Sequence, residues 1–401
     1  MWNRIIQFIC IGGLMGGSTL AAWGQSAASD TVCSKPVHRI GVDFRPSYVF
    51  PTHSFFEGNN AKGTPVSTQL SAHLRYSFQF APDSRYRQLY PHAYQGIGVA
   101  YNTFPQTSEM GSPVAVYVFQ GSRIARLSSR LSLDYEWNFG ASFGWKKFNP
   151  ESNPYNDVVG SAINAYISAG FLLNWQLAPR WKLVAGVDFT HYSNGNTHYP
   201  NSGVNTVGGR IGVARSLGQA TGEERVKERW DALPLRRRFS LDIVAYGSTR
   251  KRGIMWDEEN GDLLPGNFGV VGFNVNPMFI VNKYFRAGIS VDGQYDESAN
   301  LREYRVEGTG GEEIKFYHPP FREQVAVGVS LRAELNMPIF SVNVGVGRNL
   351  CYTGEDTEGW YQVLALKTFV TRHLFLHVGY QLSNFKDPNN LMLGIGCRLG
   401  R

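Results

Sequence analysis

The feature that most constrains the fold of this chain is a strict alternation of apolar and polar residues over positions 130–146. Because side chains alternate across a β-strand, the alternation gives one wholly apolar face and one polar face. Residues 161–177 and 323–335 repeat the pattern, so the chain is predicted to consist of long, two-faced strands. The apolar row of the first segment is Leu131, Leu133, Tyr135, Trp137, Phe139, Ala141, Phe143 and Trp145.

The predicted strands are longer than those of most soluble proteins. They run to about ten residues or more, whereas strands in soluble proteins are commonly five or six residues long. Trp and Tyr often mark the ends of the apolar face, and the opposite face is polar. These features are typical of a transmembrane β-barrel, and a soluble β-sandwich or lipocalin-like barrel is the less favoured alternative. We therefore predict an all-β, antiparallel barrel of the outer-membrane type.

The connections between the strands largely alternate between short and long. In bacterial barrels the short turns face the periplasm and the long loops face outward. Counting on this basis predicts one barrel of about 16 strands (14–18), with both termini in the periplasm. Residues 219–238 break the rule, since this long charged connection falls on the periplasmic side in this count. The connection is expected to form either a short amphipathic helix or a solvated loop. The short turns lie near 178–180, 282–283, 336–338 and 371–372, and the long loops near 51–65, 148–160, 251–266, 296–322 and 352–359.

Residues 1–24 have the pattern of a secretory signal peptide. Arg4 gives a positive n-region, an apolar stretch follows, and Ala22-Trp23-Gly24 is a small-x-small cleavage site. The mature chain, residues 25–401, is then predicted to be a single outer-membrane barrel domain. It loses one positive charge from the net +7 of the whole chain, and this mild basicity suits an anionic membrane surface.

Several partners and cofactors are not indicated by the composition. No Lys/Arg-rich run is interleaved with stacking aromatic residues, so nucleic acid is not an expected partner. Cys33, Cys351 and Cys397 are too far apart for a disulfide framework or a metal site, although one bonded pair remains possible. We expect neither a metal nor an organic cofactor.

A histidine and a serine lie two residues apart at the outer end of the predicted strand 181–193. The odd positions of this strand form its lipid face, and His191 and Ser193 continue that row. Polar groups near membrane hydrocarbon are costly, so this placement favours a site whose substrate comes from the membrane. A serine hydroxyl needs an imidazole to take its proton, and the developing oxyanion needs donors. Asn194 and Gly195 are adjacent candidates for those donors.

The segment His191-Tyr192-Ser193-Asn194-Gly195, followed by Pro200-Asn201-Ser202-Gly203, resembles the active site of the lipid A 3-O-deacylases. These are outer-membrane serine hydrolases with an eight-stranded barrel, and they remove the ester-linked acyl chain at the 3 position of lipid A. The resemblance covers roughly residues 160–217. It implies that Ser193 is the nucleophile, that His191 is the base and that Asn194 helps to form the oxyanion hole.

The sequence departs from that family at the third catalytic position. The family has an acid on the next strand, and the matching residue here is Asn205. Its parity places it on the face of His191 and Ser193, whereas Asp188 has the parity of the lumen and is rejected. An amide orients a histidine but supplies no full charge for the imidazolium. The predicted catalytic set is Ser193, His191 and Asn205, with a weak or inactive site as the alternative.

The leading functional hypothesis is a lipid A ester hydrolase of the bacterial outer membrane, acting on lipopolysaccharide of the outer leaflet. A non-enzymatic barrel, either a pore or a binding protein that keeps a degenerate hydrolase segment, is the alternative. A phospholipid hydrolase with the same site is a third reading. Gly208 and Gly209 are predicted to leave a groove for an acyl chain, and His198 is either a phosphate contact or a solvated loop residue. The sequence indicates no oligomeric state.

Overall fold

The computed structural model describes most of the chain in six stretches. The predicted signal peptide, Cys33, nearly all of the 219–238 connection and the acidic loop segments 257–259 and 312–313 lie outside the described residues. The described stretches are residues 35–217, 238–255, 261–264, 266–306, 315–385 and 387–400.

Eight consecutive antiparallel strands close into a first barrel, in which β8 pairs back onto β1. Three short helices lie in its connections: α1 (Ser54–Glu57), α2 (Arg85–Leu89) and α3 (Thr107–Met110). The strands are β1 (Val37–Val49), β2 (Thr68–Gln79), β3 (Tyr94–Thr103), β4 (Gly111–Arg126), β5 (Leu131–Trp145), β6 (Ile163–Ala178), β7 (Trp181–Ser193) and β8 (Val204–Leu217).

Eight further strands close into a second barrel, in which β20 pairs back onto β9. Its strands are β9 (Phe239–Arg250), β12 (Phe268–Ile280), β13 (Phe285–Asp296), β16 (Val325–Asn336), β17 (Phe340–Cys351), β18 (Trp360–Phe369), β19 (Leu374–Ser383) and β20 (Asp387–Leu399). Its outer loops carry two small hairpins, β10 (Gly253–Met255) with β11 (Gly261–Leu263), and β14 (Arg305–Val306) with β15 (Lys315–Phe316).

The all-β class, the antiparallel barrel type and a total of sixteen barrel strands are confirmed, but the prediction of one barrel is wrong. Closure depends on which distant strand β8 pairs with, for example Val42 opposite Val213. Period-two alternation tells which face a residue takes and carries no information about that partner. In chain order the 219–238 connection lies between β8, the last strand of the first barrel, and β9, the first strand of the second.

Most of the predicted faces hold, with one local exception at the outer end of β5. Trp145 was predicted on the lipid face, but its side chain is buried and its indole Nε1 donates to Ser142 Oγ at 2.8 Å. Gly144 has φ of 90°, and the β4–β5 register shifts between Gly111 and Val114. An irregularity of one residue moves the next side chain to the opposite face.

Buried ion pairs cross the lumen of each barrel. In the first barrel, Arg210 bonds Asp188 and Glu136, each at 2.9 Å. In the second, Lys367 Nζ lies 2.8 Å from both Asp242 and Glu334. An eight-stranded barrel is just wide enough for its side chains to fill it. Over the described residues these ion pairs leave no wide aqueous channel through either barrel, which removes the main structural support for the pore alternative.

Arg210→Ala is expected to destabilise the first barrel by about 3–5 kcal/mol, because Asp188 then keeps only the more distant Arg45, at 3.6 Å, and Glu136 keeps only Arg75. Arg215→Ala on the same strand is the matched control, since Arg215 is exposed and its guanidinium lies 5.5 Å from the Trp181 ring. That loss is expected to be about 1 kcal/mol or less. Urea unfolding followed by gel mobility measures both. Equal midpoints for the two variants would contradict this assignment.

The cysteines of the second barrel are not bonded to each other. Cys351 and Cys397 are free thiols, so no disulfide joins them. Among the described residues, no helix combines the length and hydropathy needed to cross a bilayer.

Candidate active site

The structure brings His191, Ser193 and Asn205 together at the outer end of the first barrel. His191 and Asn205 are direct cross-strand partners in the β7–β8 ladder. The imidazole Nδ1 lies 2.7 Å from Asn205 Oδ1, and Nε2 lies 2.9 Å from Ser193 Oγ. An amide oxygen only accepts hydrogen bonds, so Nδ1 carries the proton and Nε2 accepts from the serine hydroxyl. This is the tautomer that a general base beside a serine requires.

The three side chains lie on the lipid-facing side of the barrel, as predicted. His191 and Ser193 are half-buried, and they continue the row of exposed apolar residues Val187 and Phe189. Tyr192, between them, points into the lumen and is buried. The Ser193 hydroxyl therefore lies on the membrane side of the barrel wall and not in the lumen.

Lumen contacts hold the outer end of β7 in place. The Tyr192 hydroxyl accepts from Gln69 Nε2 at 2.8 Å and donates to Asn102 Oδ1 at 3.0 Å. Its ring lies 5.2 Å from Trp145, edge to face. Consecutive residues of a strand are joined through the backbone. Anchoring Tyr192 therefore also limits the movement of its two neighbours, His191 and Ser193.

The loop that follows Ser193 is organised by Asn194. Its backbone N–H donates to Asn201 Oδ1 at 2.9 Å, and its side-chain Nδ2 donates to the carbonyl oxygens of His198 and Pro200. Both donor groups of Asn194, its backbone N–H and its side-chain amide, are therefore occupied within the loop. Gly195, at φ 64°, is buried, and its N–H donates to no other protein group in the described part of the chain.

Gly203 closes the loop directly against the histidine and serine. It has φ of 73°, and a Cβ added there would lie 3.2 Å from His191 Cε1 and 3.7 Å from Ser193 Cβ. Gly203 and Asn201 belong to the motif read from the sequence, but the sequence alone predicts no role for either residue. The feature of the sequence that could have indicated the role of Gly203 is a glycine directly after Asn-Ser, because glycine adopts a left-handed backbone without steric cost.

The other residues considered from the sequence lie in the lumen, in the loop after β7 or on the lipid face. Asp188 is bound by Arg210 in the lumen, which agrees with its exclusion. His198 belongs to the loop framework, since its N–H donates to Asn194 Oδ1 at 3.2 Å. Gly209 faces lipid with open space over it, whereas Gly208 faces inward against Ser47. The predicted groove therefore rests on Gly209 alone.

Two models of one protein family match the chain. The first, described as lipid A 3-O-deacylase (PagL), matches residues 70–214. The second, described as acyloxyacyl hydrolase, C-terminal domain (PagL_C), matches residues 239–401, the second barrel. No curated protein matches this chain.

Several solved outer-membrane structures align over most of the chain, with low identity and low superposition scores. The siderophore receptor PirA from Acinetobacter baumannii is 9% identical, with 88% of this chain and 69% of that chain covered and a TM-score of 0.25. The CymD monoaromatic hydrocarbon channel is 8% identical, with 92% and 89% covered and a TM-score of 0.19. The outer membrane protein Omp33 of Acinetobacter baumannii is 9% identical, with 91% and 99% covered and a TM-score of 0.16. No functional argument follows from these alignments.

The two family matches together span most of the chain and fall on both barrels. Lipid A belongs to the outer membrane, and the strands of both barrels carry an apolar outer face that suits that membrane. The protein belongs to the lipid A 3-O-deacylase (PagL) family of outer-membrane lipid A deacylases.

Proposed function

We propose that Ser193 hydrolyses the ester-linked acyl chain at the 3-O position of lipid A in the outer leaflet. The observation that carries the proposal is the continuous hydrogen-bonded row Ser193–His191–Asn205 on the lipid face of the first barrel. A polar row of this kind has no packing use beside hydrocarbon. The position of the ester follows the description of the family.

The reaction proceeds through an acyl-enzyme. Ser193 Oγ attacks the ester carbonyl carbon while His191 Nε2 takes the hydroxyl proton. The tetrahedral intermediate collapses, and His191 returns the proton to the departing sugar oxygen, which leaves as an alcohol. Water then attacks the acyl-serine with the same histidine as base, and it releases a fatty acid and the free serine.

The oxyanion of the tetrahedral intermediate requires donors near the carbonyl. The Gly195 N–H is the candidate with no other partner in the described chain. Asn194 contributes by holding the loop through Asn201, His198 and Pro200, so that the glycine N–H is positioned before the substrate arrives. Preorganised donors of this type are the largest single source of rate in many hydrolases.

An acyl chain has a shallow path along β8 next to the site. Gly209 lies on the lipid face with nothing within 4 Å of an added Cβ. Exposed Phe189 on β7 and Tyr48 on β1 are the cross-strand partners of Val207, and they flank this path. Apolar walls and a glycine floor suit the methylene groups of a fatty acyl chain.

Gly203→Ala is expected to lower kcat about 10²-fold with little change in the amount of folded protein. The added methyl group meets the Tyr192 carbonyl oxygen at 3.0 Å and His191 Cε1 at 3.2 Å, and a misplacement of about 1 Å at a catalytic group has effects of this size. Gly266→Ala is a control for backbone strain alone, since Gly266 has φ of 104° and no atom within 4 Å of an added Cβ. Kinetics on lipid A in mixed micelles test the pair. Full activity of Gly203→Ala would contradict the geometry of the site.

The proposal is tested by covalent labelling. A fluorophosphonate probe is expected to modify Ser193 in the purified protein, with the adduct mapped by mass spectrometry. Labelling is expected to disappear in His191→Ala, where the serine remains but has no base. Incubation of the wild type with lipid A and with phospholipid in parallel separates the two lipid substrates. An unlabelled Ser193, or hydrolysis of phospholipid only, would overturn the proposal.

A further inference from the structure

The outer end of β20, in the second barrel, contacts the loop that follows Ser193 in the first. Asn196 Nδ2 donates to the carbonyl oxygen of Asn389 at 2.9 Å. Leu391 packs on Gly195 so closely that an added Cβ on the glycine would lie 3.2 Å from both Cβ and Cδ1 of the leucine. The two residues that directly follow Ser193-Asn194 are therefore held by the other barrel.

Asn389 is itself firmly anchored. Its Oδ1 accepts from Arg250 Nη1 at 2.6 Å, and its Nδ2 donates to Ser383 Oγ at 3.0 Å. Arg250 is in turn paired with Asp296 at 2.9 Å. The carbonyl that receives the Asn196 hydrogen bond thus belongs to a cross-linked rim and not to a loose loop.

A second contact between the barrels lies toward the inner end of the strands. Tyr135, Trp137 and Phe139, all on the lipid-side row of β5, pack against an apolar cluster of the second barrel. Two members of that cluster, Val342 and Leu366, are only 9% and 8% exposed. The cluster consists of Met337, Phe340, Val342 and Leu366. The two barrels therefore contact each other both at the outer ends of their strands and nearer the inner ends.

The seventh and eighth strands of the second barrel carry no catalytic set at the corresponding place. In the first barrel the outward-facing pair near the outer end is His191 opposite Asn205. In the second barrel it is Tyr380 opposite Leu391. Leu382 follows two residues later, at the step where Ser193 follows His191. The side chain in the Asn205 place is thus a leucine that packs onto the first barrel.

We propose that the second barrel is a non-catalytic positioning unit, in which Asn389 and Leu391 hold the Gly195–Asn196 segment in place for hydrolysis at Ser193. The inference rests on the proposed function of that serine. Gly195 offers the candidate oxyanion N–H, and both Gly195 and Asn196 have left-handed φ angles, 64° and 63°. A displaced Gly195 would leave substrate binding intact and weaken the stabilisation of the transition state.

Leu391→Ala is expected to lower kcat at least tenfold with KM within twofold of wild type. Leu391→Met, which keeps the packed volume, is expected to restore most of the rate. Ile395→Ala is the matched control, because Ile395 lies on the same face of the same strand and is 65% exposed. Its kcat is expected to equal that of wild type. A Leu391→Ala enzyme with unchanged kcat, or one whose loss appears only in KM, would overturn the positioning role.

A cross-linking measurement tests the contact without any activity. The pair Gly195→Cys and Leu391→Cys is expected to form a disulfide, since the Cβ separation of 3.2 Å is near the ~3.5–4.5 Å of natural disulfides. The pair Gly195→Cys and Ile395→Cys is expected to remain reduced, because four residues of strand separate the two positions by about 13 Å. Absence of the first cross-link in folded protein would overturn the contact. Failure of wild type to deacylate lipid A, with the cross-link present, would instead refute the proposed function.

Discussion

His191→Ala is expected to reduce lipid A deacylation by roughly 10⁴-fold or more, with the barrel still folded. In the proposed mechanism the imidazole, whose Nε2 lies 2.9 Å from Ser193 Oγ, accepts the hydroxyl proton and later donates it to the leaving oxygen. Without it, the serine is a neutral alcohol and a weak nucleophile. The rate of fatty acid release from lipid A in mixed micelles measures the loss.

The matched control is His38→Ala. His38 is a histidine at the opposite, inner end of a strand, where its Nδ1 lies 2.7 Å from the Tyr76 hydroxyl. Its removal is expected to leave the rate within twofold of wild type. The double variant His191→Ala with Ser193→Ala is expected to be no slower than either single variant, because the two groups act as one unit. Additive losses would show that the residues do not share one step.

Substitutions at Asn205 are expected to have the next largest effect on the rate of deacylation. Asn205→Ala is expected to lower the rate, and Asn205→Asp is expected to raise it. Asn205→Ala removes the acceptor that holds His191 Nδ1–H at 2.7 Å, so the rate is expected to fall roughly 10³-fold. Asn205→Asp keeps the acceptor and adds a charge for the imidazolium. Charge-assisted hydrogen bonds are about twice as strong as neutral ones. The stronger bond to the imidazolium in Asn205→Asp is therefore expected to raise kcat about tenfold.

The same lipid A assay compares the three proteins. Thr206→Ala is a neighbouring control, since Thr206 faces the lumen and is buried. Its effect is expected to fall on the amount of folded protein and not on kcat. A rate that does not respond to Asn205→Ala would mean that the amide is not the partner of the histidine during catalysis.

The strand faces and the members of the candidate site were predictable from sequence, because both depend on local parity. His191, Ser193 and Asn205 share a side for the same reason that Val187 and Phe189 do, and the structure places all of them on the lipid face. The exception, Trp145, follows a glycine with φ of 90°, which parity alone does not anticipate.

Features that depend on distant pairing were not predictable in the same way. The closure of β8 on β1 and of β20 on β9 divides sixteen strands into two barrels, and alternation is identical in either case. The contact of Leu391 with Gly195 joins residues almost two hundred positions apart on outward-facing surfaces. A lipid-facing leucine and a leucine that packs on another barrel have the same sequence pattern.

The most direct test of the central claim is the lipid A profile of outer membranes that contain the wild-type protein or Ser193→Ala. We predict that wild type yields lipid A lacking one ester-linked acyl chain, with the 3 position deacylated. Ser193→Ala is predicted to assemble equally well and to leave lipid A fully acylated, because only one oxygen atom on the barrel surface is removed. Identical lipid A profiles for the two membranes would contradict hydrolysis at Ser193.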